Sequence, residues 1–258
     1  MRRTTTKDST KRAARAHRRL ISLCAAVLLA ACNTPHTYPP AAPHTGKRPP
    51  PQSDEFNPRQ LLKSDTEAAA EVHLRESLAS ARLLMEKLYR RNPRELRKSG
   101  FLTVEAAVKR GFDPRYGFRL PELKHVHGTR AIQLALNSDY SGDRVFAFSV
   151  GLAGMILRAY GDKTELYVTE FVDAQKLYNA ARNVEIAAWK LANARDAAGQ
   201  PLLFSNEIAG EVRNLSFERE FGKLIAYQDA MALVAAQRTN RVIRRVSQTL
   251  ATAVFLPI

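Results

Sequence analysis

Val145-Phe146-Ala147-Phe148-Ser149-Val150-Gly151-Leu152-Ala153-Gly154-Met155-Ile156-Leu157 carries no charge across thirteen residues, and its apolar side chains point to every side of a helix. A helix apolar all round is one buried all round. At about 1.5 Å per residue the run covers roughly 20 Å, short of the hydrocarbon layer of about 30 Å. The stretch therefore predicts a central core helix. Gly151 and Gly154 remove two side chains from it, which lets neighbouring helices approach closely.

Helical patterns surround this run. Ser64-Asp-Thr-Glu67 has capping-box spacing, and Val72, Leu74, Leu78, Ala81, Leu83, Leu84, Met85 and Leu88 recur at helical period as far as Arg91. Asn92-Pro93 should end or bend that helix. Thr103 to Arg110 predicts a second helix with Gly111 as its stop. Pro121 to Leu136 predicts a third, and Asp173 opens a fourth that runs to about Arg195. Asn206 to about Leu250 is expected to be helical with a break near Asn214-Leu-Ser216. Thr164 to Phe171 is rich in β-formers, but one isolated strand makes no sheet. The tail Phe255-Leu-Pro-Ile258 is apolar and is expected to dock. The fold class is all-α: one helical-bundle-like domain of six to seven helices over residues 59–258, with one fully buried central helix. No repeat of fixed period is present.

Ahead of this domain, residues 32–58 hold eight of the thirteen prolines, and proline withdraws amide donors and fixes φ. They form an extended tether that could reach roughly 80 Å in polyproline form. Residues 1–31 read as an export signal. Eight basic side chains and one acidic one precede or flank an uncharged run from Leu20 to Cys32 that is too short to span a bilayer. The end of that run, Leu29-Ala30-Ala31-Cys32, resembles the lipobox of bacterial lipoprotein precursors. The resemblance implies cleavage before Cys32, a diacylglycerol thioether on its sulfur and acylation, such as palmitate, on the freed amine. Asn33, where an aspartate commonly holds such proteins in the inner membrane, implies the outer membrane, with the domain facing the periplasm. Two or three acyl chains, at about 0.8 kcal/mol per buried methylene, suffice for a stable anchor.

Cys32 is the only cysteine left after cleavage, since Cys24 lies in the signal, so stability must come from an apolar core. The charge is unevenly placed. Of the formal +15, the signal holds +7, and residues 82–130 carry 13 basic and 5 acidic side chains. Arg90, Arg91, Arg94, Arg97, Lys98, Lys109 and Arg110 form the densest group and are the candidate site for an anionic partner. Arg115, Arg119 and Lys124 continue it. In the periplasm the anionic partners are lipopolysaccharide, peptidoglycan or an acidic protein face, and nucleic acid has no place among them. Solvated helix faces explain the same charges equally simply. Arg238, Arg241 and Arg245, with Arg244 beside them, form a smaller group on one helical face.

His125-Val-His127 is the one close histidine pair in the domain, but on a helix residues two apart diverge, so the pair suits a metal poorly. The aromatic loop 111–121 is either packed over the core or turned toward a partner. The chain carries no Gly-x-Ser-x-Gly elbow, no HExxH helix and no phosphate-cradling loop. No metal, cofactor or catalytic group is assigned. The expected function is a non-enzymatic accessory or scaffold role in an envelope assembly, with direct binding of an anionic envelope polymer or lipid as the alternative.

Overall fold

The computed structural model describes residues 64–167, 172–209 and 212–258. The export signal, Cys32 and the proline-rich tether lie outside the described residues. Within them the chain folds as an all-α domain of seven helices: α1 (Asp65–Arg91), α2 (Pro93–Lys98), α3 (Val104–Gly111), α4 (Thr129–Ala135), α5 (Arg144–Ala159), α6 (Ala174–Asn193) and α7 (Ser216–Thr239). Two short 3₁₀ turns, Pro114–Tyr116 and Pro121–Leu123, separate α3 from α4. One small antiparallel hairpin, β1 (Glu207–Ala209) with β2 (Val212–Asn214), precedes α7.

The uncharged run is the core helix. Every residue of α5 is buried except Arg158, and α1, α2, α3, α4 and α6 all pack against it. Its two glycines are there for close approach. A Cβ at Gly151 would lie 2.8 Å from the Gly128 carbonyl oxygen and 2.8 Å from the Ile132 amide, both backbone atoms of the α4 region. One at Gly154 would lie 2.9 Å from the Cβ of Phe118. On the far side Phe148 meets Phe221 of α7 edge-on, with centroids 6.5 Å apart.

Local signals set most helix boundaries. At the start of α1 the Glu67 carboxylate accepts the Ser64 amide at 3.0 Å, the return arm of a capping box. Glu67 also pairs with Arg238, which ties the first turn of α1 to the last turn of α7. Asn92 closes α1, and its side chain is more than a stop: Nδ2 donates to the Leu88 and Phe204 carbonyls at 2.8 and 2.9 Å, while Oδ1 accepts the Phe204 amide at 2.8 Å. Thr103 and Asp173 cap α3 and α6 through their side-chain oxygens.

Two expected helices are shorter than the pattern suggested. The helix read over 121–136 exists only as Thr129–Ala135. Lys124 and His125 sit in the left-handed region, at φ 49° and 60°, and Gly128 at φ 58°, ψ −140° takes a conformation open to glycine alone. The helix read over 206–250 is replaced by the hairpin, by α7 and by an irregular segment after Asn240, whose φ of 50° ends α7. Arg241, Arg244 and Arg245 therefore lie beyond the helix and share no helical face with Arg238. Residues 164–167, expected to be extended, are non-helical, and 168–171 lie outside the described residues.

Candidate functional site

Most of the basic segment is engaged within the fold. Arg94 donates to the Leu202 carbonyl at 2.9 Å and lies over the Phe204 ring. Lys98 holds both oxygens of Glu95, at 2.8 and 3.0 Å. Arg110 grips Glu122 through Nε and Nη2 at 2.5 and 3.0 Å and stacks on Tyr116 at 4.1 Å. Arg115 and Arg119 pair with Asp113 and Asp162. Arg91 is half-buried. Arg90, Arg97 and Lys109 are exposed, and among the described residues none of the three makes an ion pair or hydrogen bond. The sequence gathered these cations by counting charge. It could not tell which cations the acids of the same segment, Glu95, Asp113 and Glu122, would neutralise, nor that Asp162 and the Leu202 carbonyl would come in from later in the chain.

Glu95 is the centre of that neutralisation. It is fully buried, and besides Lys98 and Arg94 it accepts the Arg144 amide at 2.9 Å, the first amide of α5. The neighbouring cap Asp143 accepts the Phe146 amide at 2.9 Å and the Tyr89 hydroxyl at 2.6 Å. Arg144 turns back to the Ala135 and Ser138 carbonyls at 2.8 and 3.0 Å, satisfying the end of α4. Burial pushes the Asp143 carboxyl up to about 6, against the lowering pull of its Tyr89 and Phe146 donors. Burial likewise drives the Tyr89 hydroxyl well above its ordinary value. Two buried carboxylates at the head of a helix are at home beside its free amides and partial positive charge. Every arm of this network ends on a backbone group or a partner side chain, so it is a structural junction.

The aromatic loop is packed. Phe112 meets Phe118 edge-on at 5.4 Å, and Phe118 is buried. The same two rings, with Leu78, Ala79 and Arg82 of α1, wall an open cleft of about 400 Å³. His125 and His127 each turn Nδ1 to a backbone carbonyl, of Arg119 and His125 respectively. Among the described residues no three His, Cys, Asp or Glu side chains gather as metal ligands, and no helix is long and apolar enough to cross a membrane.

A second surface feature lies elsewhere, at apolar residues that no pattern in the sequence singles out. An open groove of about 480 Å³ runs between α6, α7 and the irregular segment 241–258. Ala232, Leu233, Ala236, Val242 and Ile243 line it, with Tyr178, Arg182, Asp229 and Arg245 around them. Leu233 is 61% and Val242 92% exposed. Arg182 bonds Asp229 across the two helices at 2.6 Å. The expectation that the tail docks is met here, since Phe255 and Ile258 pack on the core.

Comparison with protein-family models, with curated proteins and with solved structures finds no match for this chain.

Proposed function

We propose that this chain is an exported lipoprotein, held to the outer membrane by lipid on Cys32, whose helical domain is a non-enzymatic accessory or scaffold in a periplasmic envelope assembly. The observation that carries the reading is the groove of α6, α7 and segment 241–258, where the exposed Leu233 and Val242 share one open surface with Ala232, Ala236 and Ile243. Apolar side chains collected on one concavity favour cover by a partner. The rim of Arg182, Asp229 and Arg245 offers both signs of charge, the arrangement of a protein-binding surface.

A second reading has its own support. Arg90, Arg97 and Lys109 are exposed cations that the fold does not use, so the basic segment retains some capacity for lipopolysaccharide phosphates or peptidoglycan carboxylates. It ranks second because Arg94, Lys98, Arg110, Arg115 and Arg119 face acids or carbonyls of this chain.

The test is photo-cross-linking in intact cells from a reactive side chain placed at Leu233, with the captured species identified by mass spectrometry. A discrete envelope protein supports the scaffold reading. Capture of only lipopolysaccharide or glycan overturns it. Metabolic labelling with palmitate, compared between the unaltered chain and Cys32→Ser, tests the anchor.

A further inference from the structure

Segment 241–258 has no helix or ladder of its own, yet four side chains of one α6 face take hold of its backbone. Gln175 forms a two-pronged pair with Arg244, accepting its amide at 2.8 Å and donating to its carbonyl at 3.0 Å. Asn183 does the same to Leu256, at 2.6 and 2.9 Å. Asn179 donates to the Pro257 carbonyl at 2.8 Å, and the Tyr178 hydroxyl lies 3.2 Å from the Val246 amide. Gln175 also donates to Asn179 at 2.9 Å, which fixes which way the Asn179 amide faces. Residues 175, 178, 179 and 183 recur at helical spacing, so one face of α6 forms a row of backbone-reading groups.

The occupant is held loosely. Most residues from Arg241 to Thr252 are exposed, and Ile243, Phe255 and Ile258 are only partly buried where they meet the core. Few buried apolar contacts and hydrogen bonds near solvent mark a segment that opens at low cost. The receptor beneath is demanding. Asn183 is fully buried and Asn179 is 7% exposed, so each needs a partner for its amide whenever the groove is covered. A side-chain amide paired to both the N–H and C=O of one residue reads an extended backbone and ignores its side chain. Selection then falls to the flanking apolar sites filled by Phe255 and Ile258. The Pro257 ring stiffens the extended form and, lacking an N–H, offers only its carbonyl, to which Asn179 donates.

We infer that the Asn179–Asn183 end of α6 is a receptor for an extended, uncharged polypeptide segment with a bulky apolar residue two places before a proline. Residues 255–258 are its displaceable occupant in cis. The inference rests on the reading of the adjoining groove as a protein-binding surface and names what the partner presents there. Displacement by the partner exchanges one set of backbone bonds for another, so it frees residues 255–258 without orphaning Asn179 or Asn183.

The test uses the full chain in detergent and a fluorescent peptide of residues 249–258. Phe255→Asp loosens the occupant in cis, and the peptide should then bind at least about tenfold more tightly than to the unaltered chain, because the competent state is no longer taxed by the bound segment. Adding Asn183→Ala should cancel the gain. Asn179→Ser, which alters a single bond to the segment, should weaken peptide binding severalfold and covers the case where Asn183→Ala fails to fold. No gain in a Phe255→Asp chain of unchanged helical circular dichroism overturns the inference, as does a gain that survives both asparagine changes. Dimerisation of the unaltered chain that Asn183→Ala abolishes overturns a foreign partner and assigns the site to a second copy. Cross-linking from Leu233 to a discrete protein, with no peptide exchange, leaves the groove reading standing and overturns this inference alone.

Discussion

Tyr89 donates its hydroxyl proton to Oδ2 of Asp143 at 2.6 Å, which joins α1 to the residue that caps the buried helix α5. Oδ1 of the same carboxylate caps α5 on Phe146, and Glu95 accepts the adjoining Arg144 amide. The head of the core helix is thus held from two other helices at once. Charge, burial and helix entry are coupled at this one point.

The Asp143 carboxyl, raised by burial to about 6 from its ordinary 3.8, makes stability depend on pH in a defined direction. The folded state binds this proton more tightly than the unfolded state does. The group's contribution is therefore complete below about pH 4 and is lost as pH rises through about 6, an effect on the order of 3 kcal/mol. Asp143→Asn keeps the cap oxygen for Phe146, turns an amide N–H toward the Tyr89 oxygen in place of the second acceptor, and cannot ionise. Thermal melts between pH 4 and 8 should show the variant gaining on the unaltered chain as pH rises, with the difference level above pH 7.

Tyr89→Phe removes the donor and leaves one oxygen of a buried carboxylate unpartnered. Chemical denaturation at pH 7 should show a loss of about 1–3 kcal/mol. The loss should shrink toward pH 4, where Asp143 is protonated in both chains.

Two glycines in helices should respond in opposite ways to alanine. At Gly151 the new Cβ meets backbone of the α4 region at 2.8 Å, which cannot yield without moving α4 from α5. A loss of about 1–3 kcal/mol or more is expected. At Gly222, on the exposed side of α7, nothing lies within 4 Å, and alanine should add about 0.5–1 kcal/mol. The two denaturation midpoints check both signs.

Charge reversal should divide the basic segment into two sets. Arg90→Glu, Arg97→Glu and Lys109→Glu touch side chains with no partner among the described residues, and each should change stability by less than about 0.5 kcal/mol. Arg94→Glu would turn a carboxylate toward the Leu202 carbonyl and the buried Glu95, and should cost about 2 kcal/mol or more. Binding to lipopolysaccharide micelles at low and high salt, measured on the three stable variants, separates an anion-binding role from solvated charge.

How far each element was legible depends on the range of the interaction that makes it. The thirteen-residue uncharged run, the Ser64 and Asp173 caps and the Asn92-Pro93 break are local patterns, and α1, α5 and α6 appear within a residue or two of them, α6 ending at Asn193 against an expected end near Arg195. The segment 121–128 carries helix-compatible residues but turns through left-handed backbone at Lys124, His125 and Gly128. Residues 241–250 also have ordinary helix propensity. They are drawn off the helix because Gln175 and Tyr178 bond the backbone of Arg244 and Val246, and Gln248 pairs with the amide and carbonyl of Val254.

By itself the sequence determined the all-α class, the identity of the core helix, the need for glycine where two helices touch and a domain that owes nothing to disulfides within residues 64–258, which hold no cysteine. Each follows from hydrophobic period, residue size or cysteine count, which are properties of neighbours along the chain. Only the tertiary structure decided which cations are spent and which remain, since Glu122 and Asp162 lie on separate elements from Arg110 and Arg119, and the carbonyl that takes Arg94 belongs to Leu202. Only it brought Gln175 and Asn183 to backbone groups about seventy residues later in the chain. Propensity reports what a segment prefers alone, and these pairings form because burial makes an unpartnered amide or carboxylate costlier than a broken helix.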